Sequence, residues 1–473
     1  MLFNSFEFLI FLPVVFILYW FVFKKSIRYQ NLLLVVASYV FYGWWDWRFL
    51  ALIFFSTVTD YLIGIFLERS DSNKIRKYLL VVSLTINLGI LWFFKYYNFF
   101  AESLTEAFGM LGVVLSPFTL NIILPVGISF YTFQSLSYSI DIYRKQISPT
   151  KDFVAFAAFV CFFPQLVAGP IERASRLLPQ FIKQRKFDYE YAVSGMRLIL
   201  WGIFKKMVIA DRLALFSNLV FNDYANYNGV AVVLATLFFT FQIYCDFSGY
   251  SDIAIGTSRL FGFNLMTNFR MPYFSKSIKE FWSRWHISLS TWFRDYVYIP
   301  LGGNRVNQQR IVFNIMITFL VSGLWHGANW TFIIWGAIHG VVNVIESIIS
   351  NKGVKLTGLS GVVKTFIIVS IAWIFFRANN VIEAFGMLNS IFDSSNNFGL
   401  NKILILGFEY KYSISLGIVF ILFLLITEYL LINKKYFIIN KPLFRRAAYL
   451  LLLLMFLFFG VFQNQSDFIY FQF

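Results

Sequence analysis

This 473-residue chain holds only three histidines and two cysteines, so the imidazole and thiolate ligands that transition metals favour are scarce. Cys161 and Cys245 lie in separate apolar segments without CxxC spacing, so they read as small core residues rather than a disulfide or a metal site. There is no Gly-rich phosphate loop, no HExxH, no GxSxG and no His-x-x-x-Asp, so the usual catalogue of soluble catalytic motifs is silent. Neither a metal nor a bound cofactor is expected. Charge is scarce too: 14% of residues are Asp, Glu, Lys or Arg, against roughly 25% in soluble domains.

What replaces charge is apolar and aromatic, at 59% and 21% of the chain. Long apolar runs recur throughout, among them Phe6 to Phe23, Tyr78 to Phe94, Ala231 to Tyr244, Val363 to Phe376, Ser413 to Leu431 and Ala447 to Phe462. Several approach the roughly 20 residues that cross about 30 Å of hydrocarbon as a helix. The expectation is an all-α polytopic membrane protein with about 11 to 13 membrane segments, some of them re-entrant. One membrane domain over residues 1–473 is expected, with residues 261–310 forming a cytoplasmic or interfacial amphipathic insert within it. The net charge of +16 then reflects Lys and Arg gathered in cytoplasmic loops rather than nucleic-acid binding.

The basic residues give a topology. Lys24, Lys25 and Arg28 follow the first apolar run, which has no basic region before it and no signal-peptidase-like site after it, so the N-terminus is expected outside. Trp44-Trp-Asp-Trp-Arg48 reads as a short outer turn at the interface, and the loop with Arg69, Lys74, Arg76 and Lys77 as an inner one. Asp60, inside the intervening apolar run, is either functional or a packing group bonded to neighbouring helices. Pro125, Gly127, Pro164 and Gly169-Pro170 suggest broken helices of the kind that line a cavity, and Arg173 to Lys186 another inner stretch. At the other end Lys434, Lys435, Lys441, Arg445 and Arg446 place the last loop inside and the C-terminus outside. Residues 379 to 411 are then outside, and the loop with Lys352 and Lys355 inside.

Two of the three histidines lie between Glu280 and His326. An imidazole buried without a partner costs roughly 1 to 3 kcal/mol, so a pair in one apolar neighbourhood needs a reason. Phe281, Trp285, Leu289, Trp292 and Tyr296 share one helical face and Arg284, Ser288, Thr291 and Asp295 another, which predicts a single amphipathic helix. His286 falls on the edge of its apolar arc, with Trp282, Ser290 and Phe293. Upstream, Tyr244-Cys-Asp246-Phe-Ser248-Gly-Tyr-Ser251-Asp252 brings carboxylates and hydroxyls to the end of an apolar segment. Ile311 to Leu324 and Trp330 to Ile349 form a hairpin with His326 at its outward tip. The first arm is too short to cross at 1.5 Å per residue, so the tip is expected at the base of a depression. Gly323 and Gly327 would leave room for a substrate there, and Trp325 and Trp330 would exclude water. His326 is either a satisfied core residue or a general base toward a hydroxyl. His339, within the return helix, reads as a hydrogen-bonded structural histidine.

Phe281-Trp-Ser-Arg-Trp-His286-Ile-Ser-Leu-Ser through Pro300-Leu-Gly-Gly-Asn-Arg305, Ser322-Gly-Leu-Trp-His326-Gly-Ala-Asn-Trp330, Asp246-Phe-Ser-Gly-Tyr-Ser-Asp252 and Phe468-Ile-Tyr-Phe-Gln-Phe473 resemble the membrane-bound O-acyltransferase (MBOAT) family, in particular its alginate O-acetyltransferase branch. The resemblance runs over the whole chain. It implies a multi-helix membrane fold, His326 as the catalytic histidine and His286 as the second motif histidine. Around them Trp282, Arg284, Trp285 and Ser290, then Asp246, Ser248 and Asp252, and finally Trp325 and Asn329 are the candidates for lining the substrate path.

The resemblance further implies that acetyl from a cytoplasmic donor, acetyl-CoA, crosses a bacterial inner membrane to hydroxyls of an outer polysaccharide. Alginate, cellulose, peptidoglycan and capsule all remain open as acceptors. A basic inner insert suits an anionic donor. A recessed tip suits a separate extracytoplasmic acetyltransferase partner that completes delivery to the polymer. D-alanyl transfer to teichoic acids is the enzymatic alternative, and a lipid or sugar transporter the alternative of another class. A transporter is expected to show internal hydropathy repeats, and none is visible.

Overall fold

Helices and the turns and loops that join them make up the described residues, with no β-strand among them. This computed structural model describes every residue except 117, 168, 352–357, 393–406, 433–440, 464–467 and 472–473, and only the backbone at 350, 351, 408 and 409. The basic positions Lys352, Lys355, Lys434 and Lys435, residues 393–406 of the expected outer segment 379–411, and Gln472 and Phe473 of the terminal motif therefore lie outside the described residues.

The chain divides into two compact units, Met1–Ile199 with Ile253–Met266, and Leu200–Asp252 with Thr267–Phe473. The first contains α1 (Phe6–Ile17), α2 (Ile27–Asp46), α3 (Leu50–Arg69), α4 (Asn73–Leu91), α5 (Tyr97–Met110), α6 (Ile128–Tyr143), α7 (Phe153–Cys161), the short α8 (Phe163–Leu166) and α9 (Ala174–Ile182). The boundary falls within α10 (Tyr189–Ile203) and, later, within α12.

Local chemistry sets these helix ends. Ser5 accepts the Phe8 N–H at 3.2 Å, and Asp152 accepts those of Val154 and Ala155 at 2.9 and 3.1 Å, each satisfying donors that a first turn leaves open. The tryptophan cluster does form a turn. Asp46 leaves α2 in an extended conformation, and its carboxylate binds both the backbone N–H and the guanidinium of Arg48, closing one 3-10 turn before α3. Trp47 on that turn is 74% exposed.

Asp60 is a packing group. It is fully buried and accepts hydrogen bonds from Ser83 at 2.6 Å, Asn87 at 2.9 Å and Ser139 at 3.1 Å, which ties α3 to α4 and α6. Arg76 is buried as well, donating to the carbonyls of Leu67, Ile142 and Tyr143. It satisfies the open carbonyls at the ends of α3 and α6 rather than facing solvent. Cys161 and Cys245 are both free and buried.

The second unit contains the end of α10, α11 (Asp211–Phe221), most of α12 (Gly229–Leu260), two short helices α13 (Ile278–Arg284) and α14 (Ile287–Phe293), then α15 (Gln308–His326), α16 (Trp330–Asn351), α17 (Gly358–Arg377), α18 (Val381–Phe392), α19 (Phe408–Ile432) and α20 (Pro442–Phe459). Its core is aromatic, with Phe204, Phe238, Phe281, Trp285, Trp335, Trp373 and Phe376 all buried in one cluster.

Among the described residues seven helical stretches are long and apolar enough to cross a bilayer: Ile27–Arg69, Asn73–Met110, Gly229–Leu260, Trp330–Ile349, Gly358–Arg377, Tyr410–Ile432 and Pro442–Phe459. Phe6–Val22 and Val381–Phe392 are shorter apolar helices. The chain is a polytopic, all-helical membrane protein.

Three boundaries differ from the sequence expectation. The Asp246–Asp252 stretch lies inside α12, which continues to Leu260, because Ser and Thr hydroxyls such as that of Ser258 bond back to carbonyls four residues earlier and remain compatible with helix. The hairpin arm begins at Gln308, capped by the Asn307 side chain on the Arg310 N–H at 2.9 Å, so it has 19 residues. That spans about 28 Å, close to a full hydrocarbon thickness, so the length of this arm does not recess the tip as its sequence suggested. The single amphipathic helix is in fact two helices broken at Trp285 and His286.

Candidate active site

His286 is held in the left-handed region, at φ 43° and ψ 53°, where a residue with a Cβ is strained. Contacts from outside the two helices keep it there. The Arg270 N–H donates to the Arg284 carbonyl and the Ile287 N–H to the Asn268 carbonyl, both at 2.9 Å. The Asn268 side-chain oxygen accepts from the Ser288 hydroxyl at 2.7 Å, and its amide donates to Ser251 at 3.2 Å. The chain around residues 268–270 thus supplies the bonds that a continuous helix would have made internally. The Ile278 N–H, at the start of α13, is accepted by Glu346 of α16 at 2.8 Å.

The break turns His286 into the protein. Its ring is buried, 4.6 Å from that of Phe247, 6.0 Å from Trp325 and 6.5 Å from His326, centroid to centroid. Burial first, and the neighbouring His326 second, hold its imidazole well below the ordinary histidine value. The ring is therefore neutral at pH 7.

His326 is the last residue of α15 and is 2% exposed. Its Nδ1 lies 2.7 Å from the Ser322 carbonyl oxygen. A carbonyl can only accept, so Nδ1 carries the proton and the lone pair is on Nε2, the nitrogen able to take a proton from a hydroxyl. Trp335 at 4.7 Å, Trp325 at 5.0 Å and Phe376 at 5.7 Å surround the ring. Such a wall excludes water from the imidazole and from any activated acyl group brought to it.

Glycine serves packing here. A Cβ at Gly323 would meet the Phe332 carbonyl of α16, and one at Gly327 the Phe332 ring. Both glycines let the hairpin arms close on each other, as small residues do in membrane helix pairs, and neither opens room for a substrate. Trp330 is 51% exposed, whereas Trp335, five residues further along α16, is buried against the His326 ring.

Residues 39–352, which include both histidines, match the model of the membrane-bound O-acyltransferase family. The chain belongs to this MBOAT family. It is 44% identical over 396 residues to a probable alginate O-acetylase of Pseudomonas aeruginosa, covering 83% of this chain and 75% of that protein. It is 36% identical over 425 residues to the peptidoglycan O-acetyltransferase of Helicobacter pylori, covering 83% and 80%. To the teichoic acid D-alanyltransferase of Streptococcus thermophilus it is 32% identical over 234 residues, 47% of this chain and 56% of that one.

Within this MBOAT chain the other candidates scatter. Trp325 touches both histidine rings. Trp285 is buried against Phe281 and Trp373, and the partly buried Trp282 packs on His339 and Trp335 at the edge of the same aromatic core. Ser290 donates to the Trp285 carbonyl at 3.2 Å, bracing the break. Arg284 pairs with Glu280 at 2.6 Å on a partly exposed face. Asn329 caps α16, accepting from the Thr331 N–H at 3.0 Å and donating to the Asn379 carbonyl at 2.8 Å. Neither Arg284 nor Asn329 makes a ring or hydrogen-bond contact to the histidines. His339, expected to be hydrogen-bonded, makes no hydrogen bond with either ring nitrogen to the described residues. It is held by rings, with Trp335 at 5.0 Å and Trp282 at 5.1 Å.

Asp246, Ser248 and Asp252 face two lysines that the sequence reading passed over. Lys205 is 2.7 Å from Asp252 and 2.8 Å from Ser248, while Lys206 is 2.7 Å from Asp246 and 2.8 Å from Asp211. Both lysines lie on a π-helical turn, Phe204–Ala210, a distortion frequent at functional sites. Adjacent lysines inside an apolar run were the available signal. Tyr470 was also missed. Its ring is 6.1 Å from that of His286 and 6.0 Å from that of His326, and only the fold brings the C-terminal segment there. Among the described residues no group of His, Cys, Asp and Glu could hold a metal ion.

Proposed function

We propose that this protein is a membrane O-acetyltransferase that moves acetyl from a cytoplasmic donor, acetyl-CoA, to hydroxyls of an extracytoplasmic polysaccharide, with His326 as the general base. The observation that carries the reading is the bond from Nδ1 to the Ser322 carbonyl, which leaves Nε2 as the basic atom in a water-poor enclosure. In the reaction the attacking hydroxyl gives its proton to Nε2 as its oxygen forms a bond to the acetyl carbonyl carbon. The carbon–sulfur bond of the thioester then breaks, and the leaving thiolate takes up the proton. His286, neutral and buried beside His326, keeps the neighbourhood free of a competing positive charge and acts on the donor side.

The similarity to an alginate O-acetylase and a peptidoglycan O-acetyltransferase supports an envelope polysaccharide as acceptor. The burial of His326 argues that a polymer is reached through a separate extracytoplasmic partner protein. We place the chain in a bacterial inner membrane, as one membrane domain, with both termini outside. The partial similarity to teichoic acid D-alanyltransferases supports D-alanyl transfer as the second reading.

The deciding experiment supplies the purified protein in lipid with acetyl-CoA labelled in the acetyl group. Labelled acetate or acetyl ester that appears with wild type and not with His326→Ala is the expected result. Transport of the donor without cleavage of the thioester would overturn the proposal, and activity with D-alanyl donors alone would favour the second reading.

A further inference from the structure

The carboxylate of Asp246 joins three parts of the second unit. One oxygen is 2.7 Å from the ammonium of Lys206, on the π-helical turn, and the other accepts the backbone N–H of Ile469 at 2.7 Å. Asp246 and Lys206 are both buried. A buried charge is tolerated when it is paired and hydrogen-bonded, and Lys206 has a second carboxylate, Asp211, on its other side. A bond from a backbone N–H to a charged carboxylate is roughly twice as strong as a neutral one.

What this bond holds is small. Ile469–Phe471 is a single 3-10 turn, too short to persist by itself. Phe468 and Ile469 are buried, and the next residue is Tyr470. Phe247, which follows Asp246 on α12, lies 4.4 Å from the Tyr470 ring and 4.6 Å from that of His286. Adjacent α12 residues therefore grip the segment twice, Asp246 by its backbone and Phe247 by its tyrosine. The consequence is the approach of Tyr470 to both histidines.

We infer that Asp246, balanced by Lys206, is a positioning residue that clamps the C-terminal turn through the Ile469 N–H and so keeps Tyr470 against His286 and His326. The inference rests on the acyl-transfer reading of that histidine pair. It moves Asp246 from the substrate path to a supporting role, since both its oxygens are engaged by protein.

The test uses the full chain in lipid and breaks the bond from either end. Asp246→Ala removes the acceptor and leaves Lys206 with Asp211. Ile469→Pro removes only the donor N–H and a little side-chain bulk, at the first position of a helical turn, where proline fits. Ile469→Ala keeps the N–H and controls for the side chain. Asp246→Ala and Ile469→Pro should each lower acetyl transfer about 10- to 100-fold, the scale of a misplacement near 1 Å. Ile469→Ala should stay at least about 10-fold above Ile469→Pro. The double variant should be no slower than the slower single one, because both remove one interaction. A second readout needs no catalysis. In an Ile469→Cys background, maleimide labelling should be slow with Asp246 present and at least about 10-fold faster with Asp246→Ala, since an opened turn exposes a buried position.

Losses that multiply in the double variant, folded single variants with wild-type rates, or unchanged labelling would each overturn the clamp. Should Asp246→Ala fail to fold, Ile469→Pro, which leaves the ion pairs intact, decides by itself. A wild-type protein without acetyl transfer would instead defeat the acyl-transfer reading, while the labelling would still judge the clamp.

Discussion

The rings of His286 and His326 lie 6.5 Å apart, one at a break between two short helices and the other at the end of a long one. The two are not equivalent. His326 has its tautomer set by a backbone carbonyl, whereas His286 owes its place to a strained backbone held by Asn268.

His326→Ala should lower acetyl transfer by about 100- to 10,000-fold, the usual contribution of a general base, with membrane insertion and thermal unfolding close to wild type. Measuring acetyl ester formation with labelled donor checks it. A folded variant retaining more than about a tenth of the wild-type rate would exclude the role.

His286 imposes a pH dependence on stability. Its folded pKa is depressed below the unfolded value near 6.5, so the unfolded chain binds the proton more readily. The stability it allows is fully present above about pH 6.5 and is lost as pH falls below that, by roughly 1.4 kcal/mol per unit. Unfolding midpoints at pH 7.5 and 5.5 should therefore differ more for wild type than for His286→Gln. Equal pH sensitivity in the two would contradict it.

Gly323→Leu should force α15 from α16, because the added side chain meets the Phe332 carbonyl rather than a movable group. Overpacking of this kind costs about 1 to 3 kcal/mol. A lowered apparent unfolding midpoint together with lost activity is expected. Gly89→Leu, at a position with open space, is the control and should change neither.

The topology predicts that Trp47→Cys reacts with an impermeant maleimide on intact cells and Lys77→Cys does not. Lys77 is exposed, unlike its buried neighbour Arg76, and so serves as the inner probe, while the two native cysteines are buried and should stay silent. Labelling at position 77 would reverse the assignment of the inner loop that carries Arg69, Lys74, Arg76 and Lys77.

Much of this protein follows from composition alone. An apolar chain with few charges, whose basic residues cluster between long continuous runs, folds as helices in a bilayer, since each such run pairs its own backbone groups and none can be left open in hydrocarbon. The scarcity of histidine likewise marks His286 and His326 in the sequence itself. Periodicity failed where the cause was distant. The apolar spacing from Phe281 to Tyr296 suits one helix, because spacing reports only neighbours three and four residues away. Asn268 and Arg270, outside that window, offer the hydrogen bonds that break it. Gly323 looked like space for a substrate until α16 was found to fill it. Lys206, Asp246 and Ile469 are far apart along the chain, and no local rule pairs them. Their meeting, and the arrival of Tyr470 beside two histidines, is decided by tertiary packing, where buried charges and open N–H groups must find partners wherever the fold supplies them.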